Sequence, residues 1–436
     1  MTDPSLDPGV DPSLDLVEGD RVEVEVGAPA HGGHCVARLD GRVLFVRHAL
    51  PGERVTAEIT ERHRGYLRAD AVEIHTPSPD RVEPPCPYAH PGGCGGCDLQ
   101  HVASDAQLRW KADVVREQLR RLAGLDFPVR VEALSPVLGW RSRVRYAVDA
   151  AGRPGLLQHR SHQVVPIDRC RIAHPAIQEL DLLDREWPDV DALEAVASTG
   201  GDVAALARPA GSGPLPVDDP TDSGVGSGVV SGVLPGGRVR LSGPDEVAEE
   251  AMGRRWRVPP EGFWQVHPAA ADTLAATVVD LLRPAAGEIS WDLYGGAGLF
   301  AAAVTDRTGA RTTLVESSPI GCAAARANLA DLPAVEIVEA RVETALHRRR
   351  VTGPVDLVVL DPPRSGAGAH VVRAIAAARP RAVAYVACDP AALARDVGTF
   401  GSLGWRLTAL RAFDCFPMTQ HVECVALLEP APQPLV

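Results

Sequence analysis

The stretch that decides the fold is "VAYVACDPAALARD", residues 383–396. An apolar, β-branched run ends at Cys388, and Asp389, Pro390 and an alanine-rich segment follow. The run reads as a buried strand. Asp389 suits a helix N-cap and Pro390 the first helical position. A strand that feeds directly into a helix is the unit of a parallel α/β sheet. It also leaves a thiol at the strand's carboxyl end, the edge where open α/β sheets bind ligands. Free cysteine is commonly just a small buried residue. A helix N-terminus, however, lowers a thiol's pKa, so Cys388 is expected to favour the thiolate.

The same alternation extends in both directions from about residue 284. Strands are predicted at "EISWDLY" (288–294), "RTTLVES" (311–317), "AVEIVEA" (334–340), "VDLVVLDPP" (355–363) and "RAVAYVACDP" (381–390). A closing pair follows, "WRLTALRAFD" (405–414) and "HVECVALLE" (421–429). The pattern predicts a doubly wound sheet. "WDLYGGAGLF" (291–300) places Asp292, Gly295 and Gly298 at the end of its first strand. Such glycines either let a nucleotide-like ligand approach the backbone or simply make a turn. Glu316 ends the second strand, where a carboxylate suits a ribose diol. The loop is not a full G-x-G-x-x-G and no P-loop lysine follows. A nucleoside cofactor such as S-adenosylmethionine is therefore favoured over a pyrophosphate one. "LDPPRSG" (360–366) brings Asp361 and Arg364 to the edge that holds Cys388, and resembles a methyltransferase target-base loop.

Upstream, the organisation changes. At 436 residues the chain should hold two or three domains. Residues 1–16 are Pro/Asp-rich and expected to be disordered. Residues 21–74 read as short alternating strands broken by glycine, with "LDGRVLFV" (39–46) as a hairpin around Asp-Gly. That spacing suggests a small OB-like barrel, a fold with many uses, nucleic-acid binding among them. An amphipathic helix is predicted near 105–124, and 211–237 reads as a Gly/Ser/Pro-rich flexible insertion.

Nine cysteines, an odd number partly in tight clusters, argue against a secreted disulfide framework. "CPYAHPGGCGGC" (86–97) supplies Cys86, Cys94 and Cys97, and "IDRCRI" (167–172) adds Cys170. Such a set holds iron–sulfur or zinc, and spacing alone does not separate the two. No run of about eighteen apolar residues suggests a membrane span, and the N-terminus carries no signal segment, so the cytoplasm is expected. The net charge of −13 is unevenly spread. Basic groups gather in "ERHRGYLR" (61–68), "WRSRVRY" (140–146), "RRWR" (254–257) and "HRRR" (347–350). Those patches with aromatics either stack bases and contact phosphates or are ordinary solvated faces.

With these motifs in hand, the chain resembles the class I RNA 5-methyluridine methyltransferases, the bacterial 23S-rRNA and tRNA uracil-C5 enzymes. "GFWQVHP" (262–268), "DLYGGAGLF" (292–300), "LDPPRSG" (360–366), "YVACDPAALARD" (385–396) and "FPMTQHVE" (416–423) match five catalytic motifs in order. Residues 17–75, notably "ARLDGRVLFVRHALPGERV" (37–55), look like a TRAM domain. The resemblance implies a TRAM barrel at 17–75, an α+β central domain at 76–260 with a metal cluster, and a Rossmann-like methyltransferase domain at 261–436. It implies a 4Fe-4S cluster on Cys86, Cys94, Cys97 and Cys170. It implies S-adenosylmethionine bound by Gln265, Tyr294, Glu316 and Asp361, with Cys388 as nucleophile and Glu423 as base. The expected substrate is a uridine in RNA, 23S rRNA rather than tRNA, and the expected state is a cytoplasmic monomer. Five positions depart from the pattern: His267 stands for Asn, Gly295 for Cys and Asp389 for Asn, and Leu299 and Arg341 sit where some members place polar cofactor contacts. Two rival readings are an N-methyltransferase acting on an amine, which would leave Cys388 and Glu423 idle, and a non-catalytic RNA-binding protein.

Overall fold

In the computed structural model, residues 16–211, 233–234 and 237–432 are described. The expected tail, except Leu16, and residues 212–232 of the expected insertion lie outside them. Alternating small apolar and polar residues build the first unit, from β1 (Arg21–Ala30), β2 (His34–Leu39), β3 (Arg42–Arg47), β4 (Arg54–Arg62) and β5 (Tyr66–Thr76). They close into a barrel in the order β1-β2-β3-β5-β4. The predicted hairpin is present: Leu39 pairs with Arg42, and Asp40 and Gly41 both take positive φ, 48° and 82°. Val55, Ala57 and Ile59 point inward from β4 and meet Leu44, Val46 and Leu67. Each such larger side chain contributes about 1.5–3 kcal/mol on burial.

The barrel core continues into Trp110 and Val114 of α1 (Ser104–Gln118), which widens to a π-type turn and stops at Gly124, φ 68°. After α1 comes a three-residue strand, β6 (Val131–Ala133). Then β7 (Arg143–Val148), β8 (Pro154–Leu157), β9 (Val164–Pro166), β10 (Val190–Ala197), β11 (Val203–Pro209), β12 (Val233–Leu234) and β13 (Arg238–Ser242) form an antiparallel sheet, order β12-β13-β11-β10-β7-β8-β9. A short helix, α2 (Pro175–Gln178), and a hairpin, β14 (Val247–Ala251) with β15 (Arg254–Val258), complete this region.

The last unit alternates as predicted: α3 (Ala270–Leu282), β16 (Ser290–Leu293), α4 (Leu299–Thr308), β17 (Thr312–Glu316), α5 (Pro319–Asn328), β18 (Val335–Glu339), α6 (Val342–His347), β19 (Leu357–Leu360), α7 (Gly368–Ala378), β20 (Ala382–Ala387), α8 (Pro390–Ser402), β21 (Trp405–Asp414) and β22 (Glu423–Pro430). The sheet runs β18-β17-β16-β19-β20-β22-β21-β6. Its first five strands are parallel, while β22 runs antiparallel to both β20 and β21. From β16 the chain moves outward to β18, then crosses back to β19 on the other side of β16. That reversal opens a crevice at the carboxyl ends of β16 and β19, where ligands bind in open α/β sheets.

Two elements from ahead of residue 261 join this unit. β6 extends the sheet beside β21, and Ala112, Val115 and Leu119 share a core with Val131, Trp291, Val358 and Phe400. β6 escapes prediction because three residues carry no periodicity.

Candidate active site

Register brings the site together. Ala387 pairs with Cys424 across the antiparallel ladder of β20 and β22. The next residues outward, Cys388 and Glu423, therefore meet at the sheet's edge. Because β22 runs the opposite way, its first residue arrives where β20 ends. Asp361 follows β19 one strand over, its amide 3.2 Å from the Leu293 carbonyl. Asp389 caps α8 as predicted, its Oδ1 accepting from the Ala392 amide at 2.7 Å.

The expected low thiol pKa is not found. Burial pushes the Cys388 thiol well up, and the charges of Glu423, Asp361 and Asp389 add to it, while the exposed Arg364 guanidinium opposes them. The N-terminus of α8 does not outweigh burial among three carboxylates. Glu423 is itself buried and pushed up, by burial and then by Asp361, with Arg364 again opposing. Asp361 is raised to about 7 by burial and by Asp292. Cys388, Glu423 and Asp361 thus form one electrostatic unit, and Arg364, noticed at this edge in the sequence, is its counter-charge.

The glycine loop lies at the end of β16. A Cβ on Gly295 would stand 2.5 Å from Leu314 Cγ and 3.1 Å from Asp292 Oδ2, so glycine in place of the family's cysteine matches the crowding here. Gly296, φ +52°, has open space where a Cβ would point. Glu316 Oε2 accepts from the Gly296 amide at 2.9 Å, and Oε1 from Ser317 and Ser318 at 2.7 and 2.6 Å. Tyr294 takes positive φ, 65°, and its hydroxyl donates to Glu343 at 3.2 Å. Gln265 is half-buried on the loop ahead of α3 and makes no hydrogen bond to these groups among the described residues. The departure at His267 is accommodated: its ring stacks on Trp140 with 6.0 Å between centroids, and Nε2 lies 3.1 Å from the Pro136 carbonyl.

Asp292 belongs to the site although the sequence reading only placed it at the strand's end. It is buried, its Oδ2 accepts from the Ala301 amide at 2.8 Å, and its Oδ1 has no partner. Burial lifts its carboxyl to about 7. Lys111 was missed altogether, lying within a helical pattern. It is fully buried and ties α1 to Asp414 (2.5 Å) and the Phe416 carbonyl (3.1 Å), bracing the loop that leads to Glu423.

Comparison with known proteins bears directly on this arrangement. Residues 16–72 match the TRAM domain, and residues 253–431 match the tRNA (Uracil-5-)-methyltransferase family. An RNA methyltransferase of Streptomyces avermitilis is 50% identical, over 95% of this chain and 99% of the relative. One from Bifidobacterium longum is 38% identical over 93% of this chain and 96% of the relative. The chain belongs to the RNA uracil-5-methyltransferase family. Its fold is shared with the crystal structure of Pyrococcus abyssi tRNA (uracil-54, C5)-methyltransferase in complex with S-adenosyl-L-homocysteine. There the TM-score is 0.68 at 24% identity, over 93% of this chain and all of that one.

Four thiols gather apart from the edge that holds Cys388. Cys86, Cys94, Cys97 and Cys170 line one cavity with Arg141, Arg169 and Arg171. Burial raises Cys86, Cys94 and Cys97, Cys94 to about 11, and neighbouring thiols add to each. Among the described residues no three His, Cys, Asp or Glu side chains converge tightly enough to hold a single metal ion. Tetrahedral zinc needs sulfurs about 2.3 Å from one centre.

Two of the aromatic-basic patches of this family member are not base-stacking surfaces. Trp140, Tyr146 and Trp256 are each buried to 2% exposure or less, because their strands turn them into cores. The barrel patch survives: His63 stacks on Tyr66 at 4.4 Å, with Arg68 5.6 Å from the same ring. "HRRR" at 347–350 is exposed. No helix among the described residues is long and apolar enough to cross a membrane.

Proposed function

We propose that the chain methylates C5 of an unpaired uridine in structured RNA through a covalent adduct. The observation that carries this is the meeting of Cys388 and Glu423 at one edge from two antiparallel strands. Uracil C5 is a weak nucleophile. Cys388 first gives up its thiol proton to solvent; attack of the resulting thiolate on C6 forms an S–C6 bond and moves the C5–C6 π electrons into an enolate with carbanion character at C5. S-adenosylmethionine supplies the methyl group that C5 takes up, and a positive charge while it is bound. Glu423 then removes the C5 proton, the C5–C6 double bond reforms, and the S–C6 bond breaks to free Cys388. Arg364 offsets the negative charge that Cys388 and Glu423 carry in these steps. Burial and mutual repulsion favour the protonated forms of both, and the donor's positive charge together with Arg364 would favour the ionised forms that react. An amine methyltransferase would need neither residue.

The open glycine turn, the unpartnered Asp292 oxygen and the Glu316 carboxylate fit a nucleoside donor bearing a cation. Glu316 would hold the ribose diol, with Tyr294, Gln265 and Asp361 completing the site. Cys86, Cys94, Cys97 and Cys170 would hold a 4Fe-4S cluster, which orders the central region. A duplex hides C5 and C6, so the target base is flipped out or single-stranded. The chain would act as a monomer, with cytoplasmic RNA as its substrate pool. The barrel and thiol pocket favour 23S rRNA; the family's transfer-RNA designation favours tRNA as the second reading. Mapping 5-methyluridine in both RNA pools of a deletion strain decides between them. Loss at no uridine in either pool would overturn the proposal.

A further inference from the structure

The turn between β1 and β2 leaves the barrel and touches the catalytic edge. His31 Nε2 stands 2.9 Å from Oδ2 of Asp389, the residue after Cys388, although the two are 358 positions apart in the chain. The turn is held in place. Gly33 has φ +77°, and a Cβ on it would come within 2.8 Å of Asp98 Cβ. Asp98 receives Arg47 of the barrel at 3.3 Å and, on its other oxygen, the Gln420 amide at 3.3 Å. Gln420 lies on the loop that leads to Glu423. Asp389 meanwhile keeps Oδ1 on the Ala392 amide, so its two oxygens join the barrel to the nucleophile's turn.

A carboxylate at this position needs an explanation, because it brings a charge that capping the helix does not require. Asparagine would cap α8 equally well. Aspartate adds a negative charge beside a thiol that already faces two acids, and that charge pushes the thiol further up. His31 and Ala392 hold the Asp389 carboxyl below its ordinary range against burial.

We propose that His31 is a positioning residue for methyl transfer: its imidazolium pairs with Asp389, so that the carboxylate caps α8 while its charge is withheld from Cys388. This rests on Cys388 being the attacking thiol. Glu423 from β22 and Asp361 and Arg364 after β19 act with Asp389 on Cys388; Arg395 of α8 and Cys424 of β22 face Asp389, and His421 faces His31. The arginines stay charged throughout the neutral range. His421 is pushed down to about 3 by burial and by Arg364, Lys111, His31 and Arg141, so it stays neutral.

The test is alkylation of Cys388 by iodoacetamide in the full chain between pH 5.5 and 8.5, read by mass spectrometry of its peptide. It needs no RNA, so its outcome is independent of whether the chain methylates uridine. At pH 6, His31→Ala should slow alkylation about threefold, the net of fewer thiolates and a more nucleophilic one. The gap should narrow towards pH 8.5, because a neutral imidazole would differ from alanine by a hydrogen bond and not by a charge. His31→Gln, which keeps a hydrogen bond without the charge, should behave like His31→Ala, while His31→Lys should restore the rate and hold it to pH 8. In Asp389→Asn, adding His31→Ala should change nothing. A loss that is the same at every pH, or that persists in the Asp389→Asn background, would overturn the proposal.

Discussion

Burial raises the thiol of Cys388 and the thiols of the four-cysteine pocket alike; the difference lies in their neighbours. Around Cys388 stand carboxylates from separate strand ends, with Arg364 as counter-charge. Around Cys94 and Cys97 stand other thiols and the glycine-rich backbone between them, with Gly96 donating to Cys94 Sγ at 3.3 Å; the acid beside Cys97, Asp98, already takes Arg47 and the Gln420 amide, each at 3.3 Å. A thiol among acids can attack and have its proton handled. Thiols among thiols can share a metal, and the acid beside Cys97 is already paired. Exposure and residue type do not tell the two apart, whereas the second group within reach does.

The largest expected effects bear on the catalytic half of that contrast. Cys388→Ala should lower methyl transfer by about 10⁴-fold or more, as loss of a covalent nucleophile does, and form no protein–RNA adduct. Glu423→Gln should do the reverse at the level of the adduct, accumulating a methylated protein–RNA complex visible on a denaturing gel. Uridine methylation by folded Cys388→Ala would erase the distinction between the two thiol sites.

The pocket should respond in a different currency. Anaerobically purified protein should be brown and carry about four irons per chain. Cys94→Ser should lose that iron and lower the unfolding temperature, yet leave the alkylation rate of Cys388 unchanged. Bound zinc in four-sulfur coordination would place the pocket in another class. A smaller effect is expected at the donor site, where Glu316→Ala should weaken S-adenosylmethionine binding by about 1.5–3 kcal/mol in calorimetry and leave RNA affinity unmoved.

The smallest effect concerns stability. Asp292 has a folded pKa raised to about 7 by burial, above its unfolded value. Wild type is therefore relatively stable below about pH 4 and loses that stability as pH rises towards 7. Asp292→Asn, which keeps an oxygen for the Ala301 amide, should unfold about 2–5 °C higher at pH 8, with the gain fading by pH 4. A gain independent of pH would mean that the orphaned Asp292 oxygen is not what destabilises the wild type.

The parallel sheet, the barrel hairpin and five motifs at the site were legible because each is local. Strand-to-helix junctions, a capping Asp-Pro and a two-residue Asp-Gly turn are written in consecutive residues. Even the pairing of Cys388 with Glu423 was implied by motifs that resemble a known family. Side-chain depth was not legible. Trp140, Tyr146 and Trp256 read as candidate stacking residues amid arginines, and only the pleat of their strands turned them inward. The helix-terminus argument for a reactive thiol failed for the same reason, since desolvation depends on what covers a group rather than on its neighbours in sequence.

What the sequence determined by itself is the set of elements and the identity of the chemical groups at their ends. The tertiary structure alone decided that β6 and α1 pack into the catalytic core, that Lys111 is sealed against Asp414, and that His31 reaches Asp389. Local preference is set by backbone sterics and periodicity within a few residues. Contacts across hundreds of positions depend on how separate faces bury against one another. So do the charges that raise Cys388, because Coulomb interactions follow distance in space and burial follows packing.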